Sequence, residues 1–454
     1  MYAINYILLF GLSILYPYLL LRYLRSGIFN FYIGFVIGCI YFLLIPLWTT
    51  AIVGELPVPL DFSATTIPTL RWTADAGEIF VMMLPLLSTG IFLVARLFFP
   101  KKLPFSQKVK IEEAGKDVNN RLVSLSMWTC LFCTLTLYFA SGLSGGGHWY
   151  ETKEAFFSEY GLGAVLLGYS LFALRVIFLA SAVHEFMRGS ITTTRLFTIV
   201  GLVCVTDLYT TGNRIFTLQA AVLVASAMVA RRDYRRLAIC AIFAIPFGAF
   251  MGAFRWIRAG MHVITGSGFS GLVGGISNGM DIAANQISQN GFGFLEFISG
   301  ATESVNLNVY YGMLVSFPKD INFLLGSSYA KILVFAIPRS IWPGKPESIA
   351  LIAGKLFAPG SGGALITTFF GELYANFGLL FVVMAPLLLC ACRGLVRIFL
   401  RGSYLFPMVA FSMGFVLVRM PLTDILISCL LIGIYTTVFQ SILKVRLQYS
   451  TRAR

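Results

Sequence analysis

The stretch IFNFYIGFVIGCIYFLLIPLWTT, residues 28–50, contains no charged side chain across its whole length. A helix of about 20 mostly apolar residues crosses the hydrocarbon core of a bilayer, where every backbone group must find its partner inside the chain. Residues 28–50 therefore read as a membrane-spanning helix, and the same pattern recurs along the sequence. Spans are expected at 2–21, 28–50, 79–99, 122–142, 162–183, 196–211, 214–230, 237–254, 371–392, 403–420 and 424–443, which makes about eleven helices. Composition agrees. Hydrophobic residues make up 57% of the 454 and charged residues only 12%, with a mean hydropathy of +0.82. A soluble domain carries about 25% charged residues, so this chain has too little polar surface to cover itself in water. The expected fold class is an all-α integral membrane protein, a single polytopic domain over 1–454. The first span, lacking a small-residue cleavage site after it, reads as a helix rather than a signal peptide.

Lys and Arg fall in alternate connections. One set holds Arg22 and Arg25, the run from Lys101 to Arg121, Arg188 and Arg195, Arg231 to Arg236, Arg393 to Arg401, and the tail after 443. The other set is acidic, with Glu55, Asp61, Asp75 and Glu78, then Glu151, Glu154 and Glu159. Basic connections remain on the cytoplasmic side, so the N-terminus is expected outside and the C-terminus inside. The net charge of +14 then follows from topology, and a nucleic-acid partner is excluded for want of a basic soluble face. All eight cysteines fall inside expected spans. Cys130 and Cys133 have the spacing of a redox or zinc pair but read as packing residues within a helix in lipid.

One connection is long. Residues 255–370 form a large external loop rich in Gly and aromatics, with apolar pieces such as Val309 to Phe317 that are too short to span. These are expected to be interfacial or re-entrant helices lying on the bundle. The cytoplasmic connections are small, so any chemistry belongs on the outer face.

Charges are costly at mid-bilayer, and Arg175 and Asp207 both fall inside spans on consecutive antiparallel helices. They are expected to pair, the alternative being a polar path or contact with lipid head groups. Several outer residues read either as interfacial anchors or as an anion site. Arg214 follows the tight turn Thr210-Thr211-Gly212-Asn213. Arg255 and Arg258 share a helix face with Trp256 beside them. Arg339 and Lys345 sit in FAIPRSIWPGKPE, residues 335–347, where three prolines restrict the backbone. Guanidinium groups bind phosphate through two parallel hydrogen bonds. Glu372 begins the ninth span, as a partner for one of these cations or as a base.

Three segments, TGNR at 211–214, PRSIWPGKP at 338–346 and TTFFGELYANFG at 367–378, together with the whole topology, resemble the Wzy-type polymerases of O-antigen and capsular polysaccharide. Arg255 with Gly266 also fits a spacing described for some members of that family. The resemblance implies a glycosyltransferase of the bacterial cytoplasmic (inner) membrane, active at its periplasmic face. A glycan on undecaprenyl diphosphate is the donor, and a lipid-linked repeat unit is the acceptor. A chain-length regulator and a flippase are the implied protein partners. A sugar hydroxyl attacks the donor's anomeric carbon and undecaprenyl diphosphate leaves. Arg214, Arg255, Arg258, Arg339 and Lys345 would counter the diphosphate charge. Glu372, or next His262, would take the hydroxyl proton. Trp342 and Tyr374 could stack on sugars. No metal, cofactor or nucleotide sugar is required. Three alternatives share the broad features: an O-antigen ligase with the same donor, a metal-dependent transferase using Asp75 and Glu78, and a lipid-linked oligosaccharide flippase or transporter.

Overall fold

The computed structural model describes residues 1–24, 29–56, 66–98, 116–140, 149–211, 214–242, 300–335, 337, 341–342, 344–359, 365–400 and 403–442, and a few positions between 274 and 288. Its principal helices are α1 (Tyr2–Leu24), α2 (Phe31–Val53), α3 (Ala76–Phe98), α4 (Lys116–Ala140), α5 (Trp149–Met187), α6 (Thr193–Thr211), α7 (Ile215–Ala230), α8 (Val305–Ser316), α9 (Ser327–Val334), α10 (Ile349–Phe357), α11 (Thr368–Phe399), α12 (Phe406–Leu417) and α13 (Leu422–Ile442). Seven helices among the described residues are long and apolar enough to cross a membrane: α1, α2, α3, the 121–139 part of α4, the 166–187 part of α5, α11 and α13. The chain is an α-helical membrane protein.

Two of the expected spans are short helices: 214–230 is found as expected, and 403–420 is shorter than the hydropathy suggests. At 1.5 Å per residue, α12, with 12 residues, reaches roughly 18 Å, and α7, with 16, reaches roughly 24 Å. Neither covers a hydrocarbon core of about 30 Å alone. Hydropathy counted Val418 to Met420 as helix, but Pro421 has no N–H to continue the ladder and the chain turns there. The eighth expected span, 237–254, lies mostly outside the described residues.

The closest helix packing among the described residues is between α2 and α12. In place of a Cβ on Gly34 stands the carbonyl of Phe411, and in place of one on Gly414 stands the carbonyl of Phe31. A Cβ on Gly38 would meet Phe415 O at 2.6 Å. Lipid chains are as apolar as Leu, so helices in a bilayer associate by close packing, and glycines permit it. Phe42 against Phe415 (5.3 Å between centroids) and Phe35 against Phe369 (6.4 Å) fill the flanks. Asn30 starts α2 by accepting Tyr32 N–H at 2.9 Å, and left-handed Gly54 ends it. Within α2, Ile40–Leu44 is a π-helical turn.

The segment expected to lie on the bundle is instead packed deeply in its described part. α8 is buried along nearly its whole length, between α3, α10 and α11. Its polar Asn308 explains how. Asn308 accepts Leu70 N–H at 3.1 Å and donates to Leu56 O at 3.2 Å, which ties α8 to the connection between α2 and α3. Val309, Met313, Ile67, Ile349 and Phe357 form a second, smaller apolar cluster there. The Arg175–Asp207 ion pair joins α5 to α6 as expected, with both side chains buried. All eight cysteines are free thiols.

Gly34→Ala should sharply reduce the yield of folded protein, because its new methyl group overlaps rigid backbone. Gly201→Ala, which meets open space on α6, should leave the yield unchanged or slightly raised. Size-exclusion profiles of the two variants in detergent give the comparison.

Candidate functional site

The turn between α12 and α13, Val418-Arg419-Met420-Pro421, gathers three clusters of polar side chains inside an otherwise apolar bundle. Residues 300–304 and α9 pack beside this turn, through Glu303 to Arg419 and through Ser328 O to Thr423.

The first cluster is ionic. Arg419 bonds Glu303 directly through Nε and Oε2. Arg214 Nε lies 3.8 Å from the other oxygen, Oε1, and Arg214 Nη1 donates to Gly300 O at 3.0 Å. Asn306 Nδ2 donates to Oε2 at 3.4 Å. The Glu303 and Arg419 side chains are each only 9% exposed. Burial pushes the Glu303 carboxyl up, but Arg419 and then Arg214 outweigh it and hold it below the ordinary carboxylate range. The π-helical turn of α2 presents Tyr41, whose hydroxyl donates to Ala301 O. Such turns are frequent at functional sites.

The second cluster surrounds Glu372 on α11, which is fully buried. Oε2 accepts Leu422 N–H at 2.6 Å, while Oε1 accepts Thr423 Oγ1 and Ser328 Oγ, each at 3.1 Å. Asn376 donates to Ser328 Oγ at 2.8 Å and accepts Gly326 N–H at 3.0 Å. The Glu372 carboxylate thus fixes the start of α13 to α9 and α11. The third cluster is a step further along α13. Asp424 Oδ1 accepts Tyr169 O–H at 2.5 Å and lies 3.5 Å from Lys331 Nζ, which also donates to Tyr169 Oη at 3.3 Å. The Asp424 and Lys331 side chains are each 17% exposed, so neither is fully enclosed by protein.

Backbone strain accompanies these clusters. Glu303 has φ 52° and Thr368, which begins α11, has φ 59°. A left-handed β-branched residue is costly, and such residues collect at functional sites. Thr368 Oγ1 receives Gly371 N–H at 3.1 Å, and Phe369 N–H reaches back to Val418 O at 3.2 Å.

Of the residues singled out from the sequence, Arg214 and Glu372 lie in this junction. They do not pair with each other: Arg214 binds Glu303, and the groups recorded on the Glu372 carboxylate are hydroxyls and a backbone N–H. Lys345 points elsewhere, donating to Phe335 O at 2.8 Å and Ile337 O at 2.9 Å, so it braces the chain leaving α9. Arg255, Arg258, His262 and Arg339 lie outside the described residues. Tyr374 is a packing residue, bonded to Phe317 O and edge-on to Phe381 at 5.3 Å, whereas Trp342 is 43% exposed. Asp75 accepts Arg71 N–H at 2.7 Å as a local turn, and among the described residues no cluster of His, Cys, Asp and Glu could hold a metal.

Sequence reasoning passed over Glu303, Arg419, Lys331, Asp424 and Tyr169. Arg419 met the criterion that selected Arg214, an arginine at the expected outer end of a span. Comparisons with family models, with curated proteins and with solved structures return no match.

Glu303→Gln leaves the buried Arg419 and the partly buried Arg214 guanidinium groups without this carboxylate. It should cost about 3 kcal/mol or more of stability, measured as a lower midpoint of thermal unfolding in detergent. The folded-state pKa of Glu303 is depressed, so its contribution is complete above the unfolded value of about 4.3. It is lost as the pH falls through the lower folded value. The gap between wild type and Glu303→Gln should therefore hold from pH 8 to pH 5 and close only in stronger acid.

Proposed function

We propose that the chain is a membrane glycosyltransferase that polymerises undecaprenyl-diphosphate-linked oligosaccharide repeat units at the periplasmic face of the bacterial inner membrane. The observation that carries this reading is the convergence on the 418–424 turn. Arg214 comes from the TGNR segment and Glu372 from TTFFGELYANFG, two of the three segments on which the family resemblance rests. The third, PRSIWPGKP, contributes Lys345, which braces the chain just after Lys331 on α9. Two of the three segments thus meet at one junction, while Lys345 of the third braces the chain beside it, and buried ionisable groups within a membrane protein mark functional sites.

The reaction needs cations for a leaving diphosphate and a base for an incoming hydroxyl. Arg214, Arg419 and Lys331 supply the cations, with Glu303 holding the two guanidinium groups in place before substrate arrives. Asp424 takes the proton as the acceptor oxygen bonds the anomeric carbon and the bond from that carbon to the diphosphate oxygen breaks. Glu372, enclosed by its donors, positions the start of α13 and so holds Asp424 and Arg419 at their spacing. This reading moves the base from Glu372 to Asp424. In the expected topology the TGNR segment, the 418–421 turn and the long segment before α11 all lie outside, and the reading has these groups share that face. Arg175 and Asp207, the groups that favoured a transporter, are spent on each other.

In a deletion strain, wild type should restore a ladder of long glycans. Arg419→Ala and Asp424→Asn should leave single repeat units attached, with chain extension by purified protein lowered about 100-fold or more. Normal ladders from both variants would remove the junction from the reaction. Loss of all attached glycan in the deletion strain would instead identify a ligase.

A further inference from the structure

A second cationic site lies where α1 ends and α2 begins, far along α2 from Gly54. Two arginines from different helices converge on a single ring there. The Arg96 guanidinium, in the last turn of α3, stands 4.9 Å from the centroid of Tyr32. That of Arg393, on α11, stands 5.2 Å from the same centroid. Tyr32 is itself immobilised: its ring packs against Tyr23 at 5.7 Å and its hydroxyl lies 3.7 Å from Cys390 Sγ. Tyr23 in turn donates to Leu93 O at 3.2 Å. Arg96 also reaches Cys390 Sγ at 3.9 Å.

Both arginines are only partly exposed, and among the described residues neither has an acidic partner. Every other arginine buried to this degree in the junction or the α5–α6 pair has a carboxylate. A tyrosine ring attracts one cation over its face, but two like charges at one ring repel each other in a poorly hydrated setting. The Asn30-capped first turn of α2 adds the positive end of a helix dipole beside them. These charges fit a dianionic or monoanionic phosphate held between two guanidinium forks.

We propose that Arg96, Arg393 and the first turn of α2 form a phosphate-binding site, separate from the 418–424 junction. Arg96 lies in the last turn of α3 and Tyr32 in the first turn of α2, and the ends of such apolar helices are where lipid head groups would meet them. The source of the phosphate is an acidic phospholipid head group or a free phosphate.

The test uses full-length protein in a neutral detergent, with the thermal unfolding midpoint followed during titration by short-chain phosphatidylglycerol or by inorganic phosphate. A saturable rise is expected, with the half-saturating concentration increased at least 10-fold in Arg96→Gln/Arg393→Gln. Arg195→Gln, an exposed arginine on α6, should titrate as wild type does. If the double glutamine variant does not fold, Arg96→Lys/Arg393→Lys keeps both charges, loses both forks, and should still weaken the response. Saturation by phosphatidylglycerol alone assigns the site to a lipid head group; saturation by inorganic phosphate as well assigns it to phosphate in general. No saturable response to either probe, or an unchanged half-saturating concentration in the arginine variants, overturns the proposal.

Discussion

A charge taken out of water by burial in protein must be met by a charge or hydrogen bonds of the protein. Glu303 satisfies that requirement for two arginines at once, Arg214 between α6 and α7 and Arg419 after α12. The consequence is architectural. A carboxylate arriving on the long segment before α8 fixes two short helices that cannot cross a bilayer by themselves, and it fixes the segment packed beside the 418–421 turn. Tyr41, presented by the π-helical turn of α2, anchors the same segment through Ala301. Close packing of α2 on α12 through Gly34 and Gly414 then determines where Arg419 lies along the bundle.

Glu372 extends this logic with neutral donors. Its carboxylate satisfies an N–H at the start of α13, one of the groups that a helix leaves unpaired at its first turn, and it ties in hydroxyls from Ser328 and Thr423. The turn at 418–421 is thereby held on both sides, by Glu303 before Pro421 and by Glu372 after it. Strain at Thr368 and Glu303 persists because both neighbourhoods are over-determined. A junction built this way keeps Arg419, Lys331 and Asp424 at fixed spacing, which the proposed displacement of a diphosphate by a hydroxyl would require.

The membrane class and most helix positions were legible because hydropathy depends on local composition, and residues 28–50 carry no charge at all. The Arg175–Asp207 pair was legible for a related reason: two lone charges on neighbouring antiparallel helices have few other ways to be satisfied. Arg214 and Glu372 could be picked out as individuals. Their partners could not, because Glu303 meets Arg419 across 116 positions of sequence, a contact set by how the long segment folds back rather than by any spacing. The apolar residues of α8 suggested a helix resting on the bundle; Asn308, which pins it inside, is informative only once Leu56 and Leu70 are seen opposite it. Hydropathy also overran α12, since Val418 and Met420 are as apolar as the helix they follow.

Equilibrium binding of a polyprenyl diphosphate to the purified full-length protein examines the junction most directly. Comparison of wild type with Arg419→Gln, each confirmed folded by its melting transition, isolates a single guanidinium. Affinity at least 10-fold weaker in the variant, with wild-type binding declining as salt rises, is the predicted result. Equal affinity for the two proteins would contradict the assignment of this junction as the diphosphate site.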